Sequence, residues 1–449
     1  MDTLSPENLP ARSPGSRRSF LRRALTGTAA LAATGSASPV LAAVKASRAK
    51  HILIANAWHC INIGDIAHTP GLLHLLDTFL PEVGVTLWPV PSLRPGQERE
   101  LDPKVRRMLL AGFPRLQIIA GGGTTPKPAV RPDLIAAIQQ ADLFIIGSGG
   151  MHASPLDVWR ATTDKPYGIN GVTFGTLDRE RAAVLAKASF VYCRDSVSVE
   201  NLRQAGITGP HVGFGPDTTF ALHLRDDERA GRYLQQTGLS NKKYLCVVPR
   251  HRFSPYHTIY NDPNVTDRDR EIDRINREHN SADHAAAREL IVNWVRTTGL
   301  KVLACPEMTY GVPLAKEQLV DPLPSDVRAN VVWKDTFWNA DEAASVYARA
   351  LAVVSLDCHS PIIALAAGTP AIHLRVPTDN PHKSRMFADI GLPEWIHELE
   401  GMTGPRLTEM VMAIYREPAI AAQKVERAMT FVRQRQAVTM ASVRAALPA

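Results

Sequence analysis

Short apolar runs alternate with stretches of helical period along almost the whole chain. "KHILIANAWHC" (50–60) reads as a buried strand, and "NIGDIAHTPGLLHLLDTFL" (62–80) opens a helix through Asn62, Gly64 and Asp65. Further strands are predicted at "VTLWPV", "LQIIA", "ADLFIIG", "GVTFG", "ASFVYCRD" and "HVGFG", with helical patterns such as "LDRERAAVLAKA" and "VSVENLRQAG" between them. A polar stretch, "RDDERAGRYLQQTGLSNKK", then separates this half from a second. That half runs through "YLCVVPR", a long polar insertion (252–283), the helix "AAARELIVNWVRTTG", and the strands "KVLACPE", "ANVVWKD" and "LAVVSLDC". Strand and helix alternating this regularly predict an α/β fold with mostly parallel sheets covered on both faces. Two Rossmann-like domains, 48–232 and 236–400, are expected to face each other over a cleft. Helices over 405–445 are expected to pack back across.

Composition narrows the class. The chain has 449 residues, 45% hydrophobic and 21% charged, which suits a globular protein with two cores. The net charge is +7, but Arg12, Arg17, Arg18, Arg22 and Arg23 stand against only Asp2 and Glu7 in the first 43 residues. That surplus of three leaves +4 for the remainder, too mild to imply nucleic acid. No apolar run is long enough to span a bilayer. The five cysteines (60, 193, 246, 305, 358) include no CxxC pair, so neither a zinc site nor a disulfide framework is indicated. Residues 1–43 resemble a bacterial twin-arginine export signal. Arg17-Arg18 precede Ser19, Phe20 and Leu21, an Ala/Leu-rich stretch follows, and Val40-Leu41-Ala42 form a small-residue cleavage site. The implied partner is the twin-arginine export machinery, and the implied location is the periplasm or cell envelope of a Gram-negative-type bacterium.

Polar residues gather where predicted strands end, the usual ligand crevice of open α/β sheets. Asn62, Gly64 and Asp65 follow the first strand, Gly64 free of a side chain so that backbone N–H groups can approach a ligand, Asp65 at a helix start. Gly147-Ser148-Gly149-Gly150-Met151-His152 follow "ADLFII", where glycines can cradle an anion on exposed amides. Arg250 closes "YLCVVPR" ahead of the insertion. Its guanidinium suits phosphate or carboxylate, or pairs with acids of the insertion. In "VVSLDCHSPIIALAAGTPAIHL" (353–374), Asp357, Cys358 and His359 interrupt an apolar run as a helix begins. The imidazole suits proton transfer or donation to a phosphoryl oxygen.

In this order and spacing the motifs resemble the polysaccharide pyruvyl transferase family over about 52–400. "NIGD" and "ADLFIIGSGGMH" are similar to the family's opening and its glycine-rich strand end, and "GVTFGTLD" to its "GxGxGPL" segment. "CRDSVSVENLRQAGITGPHVGFGPDTTFAL" carries the family pattern on Arg194, Asp195, Ser198, Leu202, Gly206, Asp217 and Phe220. "SLDCHSPIIALAAGTPAI" matches its "RLH" segment, with Lys383 where a lysine follows. The resemblance implies a GT-B-like architecture and transfer of pyruvyl from phosphoenolpyruvate to two sugar hydroxyls, giving a ketal and phosphate. It implies no cofactor, a small anionic donor and a glycan acceptor. By position, Arg250 would hold the donor, and His359 would be the proton donor or the phosphate contact. Asn62, Gly64, Asp65, Gly149, Gly150, His152, Arg194, Asp217 and Lys383 would complete the binding set.

The position of the family's "RLH" arginine is Asp357 here. Either Asp357 orients His359 and raises its pKa, or it is a relic of lost donor binding. Two other readings share the architecture: a nucleotide-sugar glycosyltransferase and a non-catalytic exported glycan-binding protein.

Overall fold

A computed structural model of the chain describes residues 49–56, 59–89, 101–121, 131–150, 153–380 and 382–448. The expected export signal (1–43) and His152 lie outside them. The first sheet is built from β1 (His51–Asn56), β2 (Gly84–Pro89), β3 (Gln117–Ile118), β4 (Leu143–Gly150), β5 (Tyr167–Thr173), β6 (Phe190–Cys193) and β7 (Val212–Phe214). All its pairs are parallel, in the order β3-β2-β1-β4-β5-β6-β7. The second holds β8 (Tyr244–Val248), β9 (Lys301–Ala304), β10 (Val331–Trp333), β11 (Ala352–Ser355), β12 (Ala371–Arg375) and β13 (Ile396–Glu398). Its order, β10-β9-β8-β11-β12-β13, repeats that of the first six strands, and it too is wholly parallel. The direction of winding therefore reverses between β1 and β4 and again between β8 and β11. In open α/β sheets such reversals are where ligand crevices form at strand ends.

Burial explains why the central strands read as unbroken apolar runs. Every residue of β1, β8 and β11 is buried, as strands covered on both faces require. Within β1 the side chains still alternate: Ile52 and Ile54 enter one core, Leu53 and Ala55 the other. The first of these cores continues without a break into the second half.

The helix Ile63–Phe79 is buried on every side over its first turns because it lies between the halves, so it carries no polar stripe. Asn62 caps it, its side-chain oxygen accepting the Gly64 N–H at 2.7 Å. Two glycines set what can approach this helix. A Cβ at Gly71 would lie 1.9 Å from the Thr218 carbonyl, and one at Gly64 would lie 2.1 Å from Cγ of His359. The halves are stitched beside it: Ile63 N–H donates to the Glu307 carbonyl (3.0 Å) and Thr309 N–H to that of Ile61 (2.9 Å).

The closing helices behave as the sequence predicts. Gly404–Arg416 packs on Ala285–Thr298 of the second half. Pro418–Ala446 then returns to the first half, where Arg435 donates to the Phe214 carbonyl (2.7 Å) and Ser442 pairs with Tyr192 (2.8 Å).

Several local expectations change. The glycines after "ADLFII" do not turn; β4 continues through them, with Gly149 opposite Val172 and Gly150 opposite Thr173. The last residues of β5, Val172 and Thr173, supply the ladder that keeps them extended. "LQIIA" gives only a two-residue edge strand. The segment 252–283 is largely helical, dominated by Asp267–Asp283 with a capping box between Thr266 and Asp269. The short edge strand β13 has one apolar residue and no periodic signal.

Candidate functional site

At the second winding reversal, Arg250 leaves β8 and Asp357 leaves β11 side by side. One Arg250 nitrogen, Nη1, lies 2.9 Å from Asp357 Oδ1 and 3.0 Å from Asp379 Oδ2; Nη2 lies 2.8 Å from Asp379 Oδ1. Lys383 Nζ adds a contact to Asp379 at 3.0 Å. Two cations and two carboxylates thus neutralise one another in a buried cluster. Burial alone would raise the Asp357 pKa, but Arg250 first, then Lys383 and His359, bring it down to about 2. The acids on Arg250 are therefore Asp357 and Asp379. The insertion's Asp283 pairs instead with Arg252 (2.7 Å).

His359 begins the helix His359–Ala366. No side chain of its own segment caps that helix. Glu307, leaving β9, does so from outside: it accepts the backbone N–H groups of His359 (3.2 Å) and Ser360 (2.6 Å). Its Oε1 also lies 3.3 Å from His359 Nδ1, and Cys358 Sγ lies 3.4 Å from the same nitrogen. Burial opposes a charge on the imidazole. Cys358 and Glu307 outweigh it and hold the His359 pKa well above the ordinary histidine value. The carboxylate that orients the imidazole is therefore Glu307, not Asp357, whose Oδ1 accepts from both Arg250 and the Cys358 N–H. His359 Nε2 is buried and has no hydrogen-bond partner among the described residues.

The first half supplies a second buried chain. Arg194, at the end of β6, donates from Nε to Thr173 (2.8 Å) and from Nη1 to Asp217 Oδ2 (2.7 Å). The other oxygen of Asp217 lies 2.9 Å from Nδ1 of His68, on the helix Ile63–Phe79. Burial would raise the Asp217 pKa; His68 and Arg194 hold it well below the carboxylate range. The His68 ring meets the His359 ring edge-on, centroids 5.0 Å apart. Gly64 thus makes room for this imidazole, while its own N–H is used by Asn62. Asp65 sits in the same first turn, close enough to His59 and Tyr256 to act on their charges. Asp195 caps the helix Ser196–Gln204 and pairs with His382 of the second half (2.9 Å).

The structure therefore brings Gly64, Arg194, Asp217, Arg250, Asp357, His359 and Lys383 to the facing strand ends. Asn62 serves as a helix cap, and Gly149 and Gly150 extend a strand. Sequence reasoning passed over Glu307, His68, Asp379 and His382. Glu307 had a legible signal, a carboxylate directly after the apolar run "KVLAC". His68 had none, since a lone histidine in a buried helix reads as core.

Two sets of side chains lie close enough to share an ion: His68, Asp217 and His359, and Glu307, Cys358 and His359. Their surroundings suit a proton better than a metal. Arg194 already holds Asp217, and Glu307 faces the positive end of a helix.

A family model described as polysaccharide pyruvyl transferase matches residues 62–377, more than two thirds of the chain. The chain belongs to the polysaccharide pyruvyl transferase family. Membership makes it a transferase of a family that modifies polysaccharides. It is 23% identical over 423 residues to the amylovoran biosynthesis protein AmsJ of Erwinia amylovora, covering 84% of this chain and 95% of that protein. Among solved structures, the fold is similar to UDP-GlcNAc 2-epimerase of Neisseria meningitidis bound to UDP-GlcNAc: TM-score 0.53, 10% identity, 88% of this chain and all of that one. It is also similar to the glycotransferase of kitacinnamycin: TM-score 0.51, 14% identity, 89% of this chain and all of that one. Both likenesses describe the two-domain GT-B-like architecture. Among the described residues no helix is long and apolar enough to cross a membrane.

Proposed function

We propose that this protein transfers the pyruvyl group of phosphoenolpyruvate to two hydroxyls of a cell-envelope glycan, closing a ketal and releasing phosphate. The observation that carries the reading is His359. It is a buried imidazole at a strand end, biased toward its protonated form by Glu307 and Cys358, with Nε2 unpartnered. Making the enol carbon into a methyl group requires an acid there, and a histidine held protonated near neutral pH is suited to it. Arg250 and Lys383 are the cations for the donor's carboxylate and phosphate, with Asp357 and Asp379 as their partners in the unliganded cluster. The acceptor would lie against Tyr256, which is 41% exposed and stacks on His59 and Tyr260 at the edge of the same region.

The purified protein, given phosphoenolpyruvate and envelope polysaccharide, is expected to release inorganic phosphate and to add a ketal methyl signal to the glycan's proton NMR spectrum. A glycan that gains a sugar but no ketal signal, together with consumption of a UDP-sugar, would support glycosyl transfer instead. The neutralised state of Arg250 is the feature that favours that second reading. We place the reaction outside the cytoplasm on the strength of Arg17-Arg18. Replacing both with lysine is expected to retain the precursor in the cytoplasm, and unchanged export would remove the localisation.

A further inference from the structure

Two imidazoles, not one, meet between the halves. His68 comes from the first and His359 from the second, their rings crossing at 84°. His68 Nδ1 is held by Asp217 Oδ1 at 2.9 Å and lies 3.1 Å from Thr219 Oγ1. A carboxylate on Nδ1 fixes the tautomer with its proton there and leaves the lone pair on Nε2. Arg194, on the other oxygen of Asp217, keeps that carboxylate ionised, so it orients the ring without taking the proton itself. His68 is fully buried, yet its Nε2, like that of His359, has no hydrogen-bond partner among the described residues. Buried polar atoms are nearly always bonded, so two such nitrogens on rings in contact point to an atom that arrives with the substrate.

We propose that His68, oriented by Asp217, is the general base that takes the proton of an attacking acceptor hydroxyl, working opposite His359 as the acid. This rests on the pyruvyl-transfer reading, and the chemistry of a ketal gives it a use. In the first addition, the hydroxyl O–H bond breaks and its proton passes to His68 Nε2. The hydroxyl oxygen bonds to the central carbon of phosphoenolpyruvate, and His359 gives its proton to the terminal carbon. In the second step the carbon–oxygen bond to phosphate breaks with its electron pair, and the proton on His68 leaves with the phosphate. The second hydroxyl then adds to the same carbon and returns a proton to His359. Both rings end as they began, the two hydroxyl protons accounted for by the new methyl group and the phosphate. A single imidazole would have to be acid and base in the same step.

The variant His68→Asn keeps an N–H toward Asp217 and removes Nε2. It is expected to lower kcat for phosphate release about a hundredfold or more, the scale of general acid–base effects, with KM for phosphoenolpyruvate little changed. The charged and titratable groups facing the pair are Asp217 and, through it, Arg194 on the His68 side, and Glu307, Cys358, Asp357 and again Asp217 on the His359 side. Full activity would overturn the proposal. A second measurement needs neither turnover nor a folded variant: nitrogen NMR of the histidine-labelled wild-type protein. Nδ1 protonated and Nε2 bare at neutral pH supports the base, and a proton on Nε2 overturns it. If the wild type releases no phosphate with any acceptor, the pyruvyl reading fails by itself, and the tautomer still decides whether His68 can act as a base.

Discussion

The Arg250 cluster and the His68–His359 pair are neighbours in one site, and Arg250 Nε, like the outer nitrogens of the two rings, has no hydrogen-bond partner among the described residues. The difference lies in the charged ends, which the first cluster pairs within the chain. Both terminal nitrogens of Arg250 are taken up by Asp357 and Asp379, and Lys383 adds to Asp379. In the histidine pair the inner nitrogens are held by Asp217 and Glu307, while both outer ones are bare. The first arrangement spends its electrostatics within the folded chain, where removing one member of a buried pair costs about 3–5 kcal/mol. The second leaves its capacity unspent until a substrate arrives. General acid–base help of roughly 10² to 10⁴ is about 3–5 kcal/mol of barrier. The energies match in size but act on different states: folding in one case, the transition state in the other.

That contrast predicts a crossing of effects. His359→Gln should reduce turnover by about a hundredfold to ten-thousandfold and cost less unfolding free energy than Arg250→Met, because Gln preserves volume and can still donate toward Glu307. Arg250→Met should lose about 3–5 kcal/mol of unfolding free energy, since Asp357 and Asp379 then lose their shared cation. If instead His359→Gln unfolds the protein and Arg250→Met leaves it intact, the two clusters have been assigned the wrong way round.

The pattern of apolar runs carried the architecture, because strands covered on both faces are continuous and helices between them are long enough to show their period. It failed where neighbours decide. "SGG" reads as a turn but remains extended because β5 lies beside it. β13 exists only because β12 offers an edge. In the site, residues within one motif, such as Asp357 and His359, looked like partners because they are adjacent in sequence. Their actual partners, Arg250 and Glu307, arrive from other strands. The His68–His359 contact needed two glycines 7 positions apart, one admitting the 218–221 turn and the other the imidazole. No periodicity records such an approach.

Titration sharpens the same comparison with a smaller effect. Asp357 is held at about 2 in the folded chain, against about 3.9 when unfolded. A depressed carboxylate contributes stability that is complete above the unfolded pKa and is lost as pH falls through the folded one. The loss for Asp357 should therefore be about 2 kcal/mol between roughly pH 4 and pH 2. His359 has the opposite sign: its raised pKa contributes stability in full below about pH 6.5 and loses it as pH climbs through the folded value. Urea midpoints of wild type and Asp357→Asn across the acid range should differ in slope by the Asp357 share. Equal slopes would mean that Asp357 is not held by Arg250 in solution.

The smallest expected effect is on the donor. Asp357→Asn keeps the side chain's shape and an oxygen for Arg250 and the Cys358 N–H, but removes one negative charge from a cluster otherwise balanced at two against two. Arg250 and Lys383 then face Asp379 alone, and an anionic donor meets a surplus of one positive charge. A unit charge at 4 Å is worth about 4 kcal/mol at an effective dielectric of 20. Desolvation of the donor offsets most of that, leaving about 1 kcal/mol, or roughly a fivefold fall in KM for phosphoenolpyruvate. Turnover should stay within about a factor of two, far below general acid–base scale, because the carboxylate beside the imidazole is Glu307. Steady-state rates of phosphate release against phosphoenolpyruvate concentration separate the two constants. A tenfold fall in kcat with KM unmoved would mean that Asp357 acts on His359 across the cluster, and the division between a saturated and an unsaturated half of the site would not hold.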